Sequence, residues 1–264
     1  MVGPIRVVVS GAAGRMGREI RNAIECDEGL ELVGAIDIVP PPPGLPIDWS
    51  HDAEQLIALV RPRVVVDFST ALAAPAIARA ALRYGASPVI GTSGLSEADV
   101  EAIRAAASEA GIGAAVVPNF AIGAVLMMHF AEIAARFFDT VELIEAHHET
   151  KIDAPSGTAL ATAQRMAAAR AREFRRAIPE KETILGSRGA HYAGVSIHSL
   201  RLPGIVARQE VIFGGLGQYL SIVHETTSRE AFLPGVLLAI KAIVQRNDFV
   251  YGLEPLLGLN RLAE

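Results

Sequence analysis

Short apolar segments rich in β-branched residues alternate with helical segments through the first half of the chain, and this alternation strongly limits the possible folds. The apolar runs are typical of strands buried on both faces and lie at residues 5–10, 30–37, 63–68, 87–91 and 113–117. Helical patterns separate them at residues 18–25, 51–59, 71–84 and 96–110. Alternation with short links predicts a parallel sheet covered by helices.

A glycine-rich loop joins the first predicted strand to the first predicted helix. Gly11, Gly14 and Gly17 follow the strand at the spacing Gly-x-x-Gly-x-x-Gly, and the second strand ends on Asp37. Such glycines permit a tight turn, backbone approach to a pyrophosphate and close helix–strand packing, while the acid accepts hydrogen bonds from ribose hydroxyls. The pattern predicts dinucleotide binding, and a purely structural turn is the alternative.

The neighbours of Asp37 bear on which dinucleotide is bound. A 2′-phosphate would be repelled by this carboxylate, and no arginine or lysine follows it directly. Arg15, inside the glycine loop, is the only nearby cation that the sequence offers to offset a phosphate. We therefore expect NADH to be preferred and NADPH to be tolerated.

Two further predicted strands end in hydroxyl-bearing residues. Ser69 and Thr70 follow one strand, and Thr92 and Ser93 follow the next. Ligands of open α/β sheets bind outside the carboxyl ends of the strands, so the group favours a nicotinamide and ribose pocket. Each residue taken singly would also be explained as an ordinary helix cap.

Residues 145–159 concentrate proton donors ahead of a predicted helix start. His147, His148 and Lys151 lie among three carboxylates, and Ser156-Gly157-Thr158 follows. Titratable groups beside free N–H groups at the positive end of a helix can bind an anion and protonate what is attached to it. We therefore expect a carboxylate at the N–H groups of residues 156–158. A polar strand-to-helix connection with a good cap is the alternative reading.

The pattern changes after residue 118, which indicates a second domain. A long helix is predicted at 121–136, followed by a small, mostly antiparallel sheet from residues 140–146, 194–202, 206–213 and 219–226, with a helix at 156–174 against it. A final helix at 229–246 is expected to return to the first domain. We predict an α/β fold made of a Rossmann-type doubly wound parallel sheet (residues 1–118 and 228–264) and an α+β domain with a mixed or antiparallel sheet (residues 119–227).

Composition excludes several functional classes. The chain has 264 residues, a net charge of −5 and 51% hydrophobic residues, which gives no basic excess for nucleic acid. We expect neither a leader peptide nor a membrane-spanning segment, and we expect a cytoplasmic protein. The single cysteine, Cys26, excludes an internal disulfide, and no Cys/His set has metal-ligand spacing. We expect surface or capping roles for His51, His129 and His191, and leave His198 and His224 unassigned.

Five motifs in fixed order resemble those of the dihydrodipicolinate reductase family. They are VSGAAGRMG ending at Gly17, DFST from Asp67, GTSGL from Gly91, PNFAIG from Pro118 and EAHHETKIDAPSGTA from Glu145. The resemblance covers nearly the whole chain, and the last motif is highly specific. One departure lies beside Asp37, where many members carry a basic residue and this chain does not.

The resemblance implies a function and a set of site residues. A member reduces a cyclic imine dicarboxylate with NAD(P)H and loss of water, giving tetrahydrodipicolinate for lysine and diaminopimelate biosynthesis. His147 would be the proton donor or acceptor, Lys151 the second proton donor, and His148, Gly157 and Thr158 would bind substrate carboxylates. The resemblance also implies a homotetramer that is built through the sheet of the second domain. The implied cofactor residues are Gly11, Ala12, Ala13, Gly14, Arg15, Met16, Asp37, Gly91, Thr92, Ser93, Pro118, Asn119, Phe120 and Ala121.

Two other functions stay open at this point. One is a two-domain reductase for an aspartate-derived substrate, such as an aspartate or homoserine dehydrogenase; adjacent histidines with a lysine close behind argue against it. The other is a nonenzymatic dinucleotide sensor, which would be expected to have lost His147 or Lys151, and both are present.

Overall fold

The computed structural model describes residues 3–176, 179 and 181–259, and it places the first apolar run in the interior of a parallel sheet. In this strand, Ile5–Ser10, the side chains of Val7, Val8 and Val9 are fully buried. Strands on both sides pair with it, so its backbone groups are satisfied and its apolar side chains meet only protein.

The described elements alternate through the first half of the chain and become mostly strands in the second. In chain order they are β1 (Ile5–Ser10), α1 (Arg15–Glu25), β2 (Leu30–Ile36), β3 (Asp48–Ser50), α2 (Ala53–Val60), β4 (Val64–Asp67), α3 (Ala74–Arg83), β5 (Ser87–Ile90), α4 (Glu97–Ala110), β6 (Ala114–Val116), α5 (Ile122–Ala135), β7 (Thr140–His147), α6 (Gly157–Ala168), β8 (Ala190–Tyr192), β9 (Val195–Arg201), β10 (Ala207–Gly215), β11 (Gln218–Thr226), a 3-10 turn (Arg229–Phe232), α7 (Leu233–Ile243) and β12 (Phe249–Tyr251).

Residues 3–122 and 229–259 form one compact unit around the parallel sheet. Its strands run in the order β12-β6-β5-β4-β1-β2-β3, and neighbouring strands pair in parallel throughout. Helices α2 and α3 pack on the face that presents Val8 and Val65, while α1 and α7 also contact the sheet. The predicted Rossmann-type sheet is confirmed.

The glycine loop after β1 depends on the absence of two side chains. Gly11 has a φ of +72°, in the left-handed region that glycine adopts without strain. A Cβ at Gly17 would lie 2.1 Å from the carbonyl oxygen of Gly11, so α1 can approach the loop this closely only with glycine there. The loop and the start of α1 are therefore fixed by backbone packing.

The second unit contains residues 123–176, 179 and 181–228 of the described chain and a sheet in the order β11-β10-β7-β9-β8. Alternate residues of β7, including Val141 and Leu143, join α5 and α6 in a buried apolar core with Met166 and Phe213. The other face of this sheet is not covered by described residues at several apolar positions, namely Leu200, Tyr219 and Val223.

In the second sheet β7 pairs parallel with β9 while the other three strand pairings are antiparallel, so the predicted mixed, mostly antiparallel sheet is confirmed. The structure differs from the sequence-based expectations elsewhere. The short strands β3, β8 and β12 were not predicted, because three residues carry too little periodicity to be recognised. Helix α6 ends at Ala168, six residues before the predicted end.

Arg170 explains why α6 ends early. Its Nη1 donates to the carbonyl oxygen of Ala135 at 2.5 Å and also to that of Phe138, at the end of α5. Its guanidinium also lies 4.3 Å from the ring centroid of Phe174, which is buried in the core outside any helix. These tertiary contacts replace the continued helix that local propensity favours.

None of the helices in the described part of the chain is long and apolar enough to cross a membrane.

The packing around Gly17 gives a first prediction. Gly17→Ala should destabilise the protein by about 1–3 kcal/mol, because the added Cβ meets backbone that cannot rotate away. Urea unfolding followed by circular dichroism measures the change. Gly3→Ala is the control, since a Cβ at Gly3 has no neighbour within 4 Å, and its effect should stay within about 0.5 kcal/mol. Equal unfolding midpoints for the two variants would contradict the assigned close packing.

Candidate active site

Asp37 ties the glycine loop to the end of β2. Its Oδ2 accepts from the N–H of Ala13 at 2.8 Å, and its Oδ1 accepts from the N–H of Val39 at 2.9 Å. A carboxylate oxygen has more than one acceptor site, so both oxygens can still receive hydrogen bonds from ribose hydroxyls. Asp37 therefore shapes the loop and keeps acceptor capacity on both of its oxygens.

A cavity of about 590 Å³ lies beside this carboxylate in the first unit. Its walls come from the carboxyl ends of β1, β2 and β4 and the starts of the helices that follow. The lining residues include Ser10, Gly11, Ala13, Gly14, Asp37, Ser69 and Thr70. A glycine cradle with a carboxylate at its edge, in a mostly apolar cavity, fits the pyrophosphate and ribose of a dinucleotide.

The arginine at this cavity is not the expected one. Arg18 lines it, together with the imidazole of His51, whereas Arg15 does not. The Nε of Arg18 donates to the carbonyl oxygen of Ala13 at 2.9 Å, which holds the guanidinium beside the loop. The expectation that Arg15 is the only nearby cation is therefore wrong, since the pitch of α1 brings Arg18 back to the loop.

Asp67 at the end of β4 organises the neighbouring strand end. Its backbone oxygen accepts from the N–H of Gly91 at 2.9 Å, and its Oδ2 accepts from the hydroxyl of Thr92 at 2.6 Å. Burial raises the pKa of Asp67, and the surrounding hydroxyls of Thr92, Ser69 and Ser10 lower it only in part. The hydroxyl of Thr92 is thus held by Asp67.

Some of the residues expected to bind the cofactor could contact it only through backbone atoms. The side chains of Ala12, Phe120 and Ala121 are buried in the first unit. A Cβ at Gly91 would lie 2.3 Å from the ring of Phe68 and 2.8 Å from that of Phe120, so both rings pack directly on the Gly91 backbone.

Glu145 is the centre of the site in the second unit. It lies on β7, its side chain is 0% exposed, and its Oε2 is 2.5 Å from Nδ1 of His147. Arg201 on β9 donates to both carboxylate oxygens at 3.0 Å, and the N–H of Ser156 donates to Oε1 at 3.2 Å. One carboxylate therefore holds the imidazole and the start of α6 together.

The charges in this cluster act on one another. Burial raises the pKa of Glu145, but hydrogen bonds from Arg201, Ser199 and His147 outweigh it, so the pKa lies below its ordinary value. Burial lowers the pKa of His147, and the positive charges of Lys151 and Arg201 add to this effect. The carboxylate of Glu145 opposes both and leaves the pKa of His147 still below its ordinary value.

The other residues that are expected to bind or protonate the substrate lie on the loop between β7 and α6. The Nδ1 of His148 is 2.8 Å from the hydroxyl of Thr150, and Lys151 Nζ is 2.6 Å from a carboxylate oxygen of Asp153. The hydrogen bond from Lys151 is the main cause that lowers the pKa of Asp153, and the backbone N–H of Gly157 contributes as well. The loop therefore already pairs its cation with an anion near the helix start.

Ser156 is used inside the protein. Its hydroxyl accepts from the N–H of Ala159 at 3.2 Å as the N-cap of α6, and its own N–H is taken by Glu145. The expectation of a free N–H at Ser156 is therefore wrong. At Gly157 no atom lies within 4 Å of where a Cβ would be, which leaves the helix start open to a ligand.

The other histidines lie outside these clusters. His129 is buried in α5, so a surface or capping role is wrong for it. The Nε2 of His198 is 2.7 Å from a carboxylate oxygen of Glu142, on the other face of the same sheet, and His224 packs against Gly123. Among the described residues, no group of three or more His, Cys, Asp and Glu could hold a metal ion.

Sequence reasoning missed Arg201, and it noted Glu145 as one of the three carboxylates among His147, His148 and Lys151. The spacing of Glu145 and His147 on one strand does place them on one face. No local signal pairs Arg201 with them, because that contact depends on the parallel register of β7 and β9, in which His147 is opposite Arg201.

Comparison with known proteins covers both halves of the chain. The family model described as "Dihydrodipicolinate reductase, N-terminus" matches residues 5–120, and the one described as "Dihydrodipicolinate reductase, C-terminus" matches residues 123–257. The 4-hydroxy-tetrahydrodipicolinate reductase of Moorella thermoacetica is 52% identical over 97% of this chain and 99% of its own length. That of Geobacillus kaustophilus is 45% identical over 96% and 99%.

Solved structures agree with the sequence matches. The dipicolinate-bound dihydrodipicolinate reductase from Paenisporosarcina sp. TG-14 superposes with a TM-score of 0.90 at 39% identity, covering 96% of this chain and 99% of that one. An amine dehydrogenase from Mycobacterium smegmatis, at 15% identity and a TM-score of 0.65 over 98% and 97%, shares the fold alone. The resemblance read from the sequence motifs is confirmed, and the chain belongs to the dihydrodipicolinate reductase family.

Proposed function

We propose that the chain reduces 4-hydroxy-tetrahydrodipicolinate to tetrahydrodipicolinate with NAD(P)H and loss of water, a step of lysine and diaminopimelate biosynthesis. The observation that carries this is the pairing of His147 with a buried carboxylate, with Lys151 and the start of α6 following on the same segment. In a chain of this family, that arrangement supplies proton donors and an anion site for a dicarboxylate.

The first unit is proposed to be the dinucleotide-binding domain. Backbone N–H groups of the glycine loop, residues 11–16, would face the pyrophosphate, Asp37 the adenine ribose, and the strand ends at 91–93 and 118–121 the nicotinamide side. A bound nicotinamide would supply the hydride. The walls and loops of this unit would orient the ring and exclude water from it.

NADH is the proposed preferred cofactor. Asp37 would repel a 2′-phosphate at the position where it would hold ribose hydroxyls. Arg18, which lines the same cavity, would offset part of this repulsion and supports tolerance of NADPH.

His147 and Lys151 are proposed to handle the protons. Substrate, NAD(P)H and one proton give product, NAD(P)⁺ and water; the hydride goes to ring carbon, and the negative charge left on the ring takes the proton. The imidazole of His147, whose pKa burial holds below its ordinary value, would deliver that proton, with the ammonium of Lys151 as the second donor. His148, Gly157 and Thr158 would hold the carboxylates of the substrate at the start of α6. Ser156 would contribute only the hydrogen of its hydroxyl, because its N–H is taken by Glu145.

The second unit is proposed to carry substrate binding and assembly into a homotetramer. Its sheet has an open face on which Tyr219 is 77% exposed and Val223 is 49% exposed. Exposed apolar side chains clustered on a regular surface are typical of a protein–protein interface. A second copy of the same sheet offers a matching surface.

Cofactor choice is tested by measuring kcat/KM with NADH and NADPH separately, using freshly generated 4-hydroxy-tetrahydrodipicolinate. The unsubstituted protein should favour NADH, and Asp37→Asn should raise the NADPH/NADH ratio about tenfold or more by removing a charge while keeping an acceptor. A tenfold preference of the unsubstituted protein for NADPH would contradict the role of Asp37. NADH binding without turnover would favour the sensor alternative.

Replacement of the proton donor gives the next prediction. His147→Ala should lower kcat about 100-fold or more, with little change in NADH affinity, because the loss falls on the chemical step. Steady-state kinetics and NADH fluorescence titration measure the two quantities. His191→Ala, at an exposed position on β8, is the control and should keep the parental kcat. Parental kcat in His147→Ala would remove this residue from the reaction.

Assembly is tested on the open face of the second sheet. Val223→Lys should convert tetramers to smaller species, since burying a lysine ammonium at an interface is unfavourable. Light scattering after size-exclusion chromatography gives the mass. Leu59→Lys, at a 70% exposed apolar position in α2, should leave the mass unchanged. A monomeric parent protein, or a tetrameric Val223→Lys variant, would refute this interface.

A further inference from the structure

Glu145 occupies a position from which one side chain reaches three different elements. Residues 145 and 147 lie on the same face of β7, and the parallel register places Arg201 of β9 opposite His147. The N–H of Ser156 reaches the same carboxylate from the start of α6. The hydrogen bonds of Glu145 therefore link the proposed proton donor to the helix start that is proposed to bind the substrate.

The other hydrogen bonds of Glu145 determine which group is the donor in its contact with His147. Arg201 donates to both oxygens of Glu145, and Ser156 donates to one, so the group is held as an ionised carboxylate. An ionised carboxylate can only accept hydrogen bonds. The 2.5 Å contact with His147 therefore requires a hydrogen on Nδ1 of the imidazole. In the neutral ring, Nε2 then carries the lone pair.

We propose that Glu145 is a positioning residue for the reaction: held as a carboxylate by Arg201, it keeps the hydrogen of neutral His147 on Nδ1, so that Nε2 is the atom that exchanges a proton with the substrate. The proposal rests on the proposed function for its catalytic consequence. The tautomer it assigns to His147 does not depend on turnover.

Charged groups around His147 come from each element near it. Glu145 is on its own strand, Arg201 on β9, and Lys151 on the loop that leads to α6, where Asp153 pairs with Lys151. Glu145 is the group among them that favours the protonated imidazole, since Arg201 and Lys151 oppose it. Removing the negative charge of Glu145 should therefore lower the pKa of His147 further.

A purely structural role is the competing explanation. Buried ion pairs such as Glu145–Arg201 occur in many cores without a catalytic purpose, and breaking one is destabilising. Stability and kcat could then both fall in a variant while the tautomer and pKa of His147 stay the same. The test must therefore measure the tautomer and the pKa of the His147 imidazole directly.

The experiment uses full-length protein labelled with ¹⁵N-histidine, with the His147 signals assigned by their loss in His147→Ala. Nitrogen shifts across a pH titration give the tautomer and the pKa, and kcat and KM are measured on the same samples. Glu145→Gln keeps the size of the side chain and removes its charge. Glu142→Gln is the matched control, because Glu142 is on the same strand and also contacts a histidine, His198.

We expect the unsubstituted protein to show the Nδ1–H tautomer. Glu145→Gln should lower the pKa of His147 by about one unit or more and mix the tautomers, because an amide can donate as well as accept. Its kcat at pH 7 should fall about tenfold or more, since less of the imidazole is protonated and its orientation is less fixed. Glu142→Gln should change neither the tautomer and pKa of His147 nor kcat.

Three outcomes would overturn the proposal. They are an Nε2–H tautomer in the unsubstituted protein, an unchanged tautomer and pKa in Glu145→Gln, and a Glu142→Gln effect equal to that of Glu145→Gln. The first needs no variant, so the proposal stays testable if Glu145→Gln does not fold. Failure of the proposed function looks different, since parental kcat in His147→Ala would leave the measured link between Glu145 and His147 intact.

Discussion

The buried negative charge of Glu145 is the constraint on which the site in the second unit depends. A carboxylate with no solvent access is unfavourable unless charged partners and hydrogen bonds replace water. Arg201, His147 and the N–H of Ser156 provide that replacement from β9, from β7 itself and from the start of α6. The requirement to satisfy one charge therefore fixes the relative positions of three elements that carry the proposed chemistry.

Asp67 in the first unit is a second buried carboxyl group, and its hydrogen-bond partners are weaker than those of Glu145. The side-chain hydrogen bond that it accepts comes from the hydroxyl of Thr92, and no cation comparable to Arg201 acts on its pKa. Its pKa is raised where that of Glu145 is lowered. Asp67 is thus suited to hold a loop through Thr92, whereas Glu145 is suited to fix the hydrogen position of an imidazole.

Local sequence patterns were enough for the parallel sheet and for the glycine loop. Continuous β-branched runs such as 5–10 are typical of strands buried on both faces, and Gly11 and Gly17 are required by a turn and a close approach. The strand pairing in the sheet of the second unit was harder to predict from local sequence patterns. Whether β9 lies beside β7 in parallel is decided by which strands share a core, and that information is not local.

The candidate site divides in the same way. The motif around His147 and Lys151 identified the segment and its chemistry, because those residue types at that spacing have few other uses. The positions of Arg18, His51 and Arg201 could be found only from the structure. The same holds for the hydrogen bond that the N–H of Ser156 donates to Glu145.

By itself, therefore, the sequence determined the fold class, the family and the groups available for proton transfer, since these depend on periodicity and on short motifs. Only the tertiary structure decided which charges meet, and through them the ionisation of Glu145 and the hydrogen position on His147. Both properties depend on burial and on distances of about 3 Å between segments far apart in the chain, and a linear pattern carries neither.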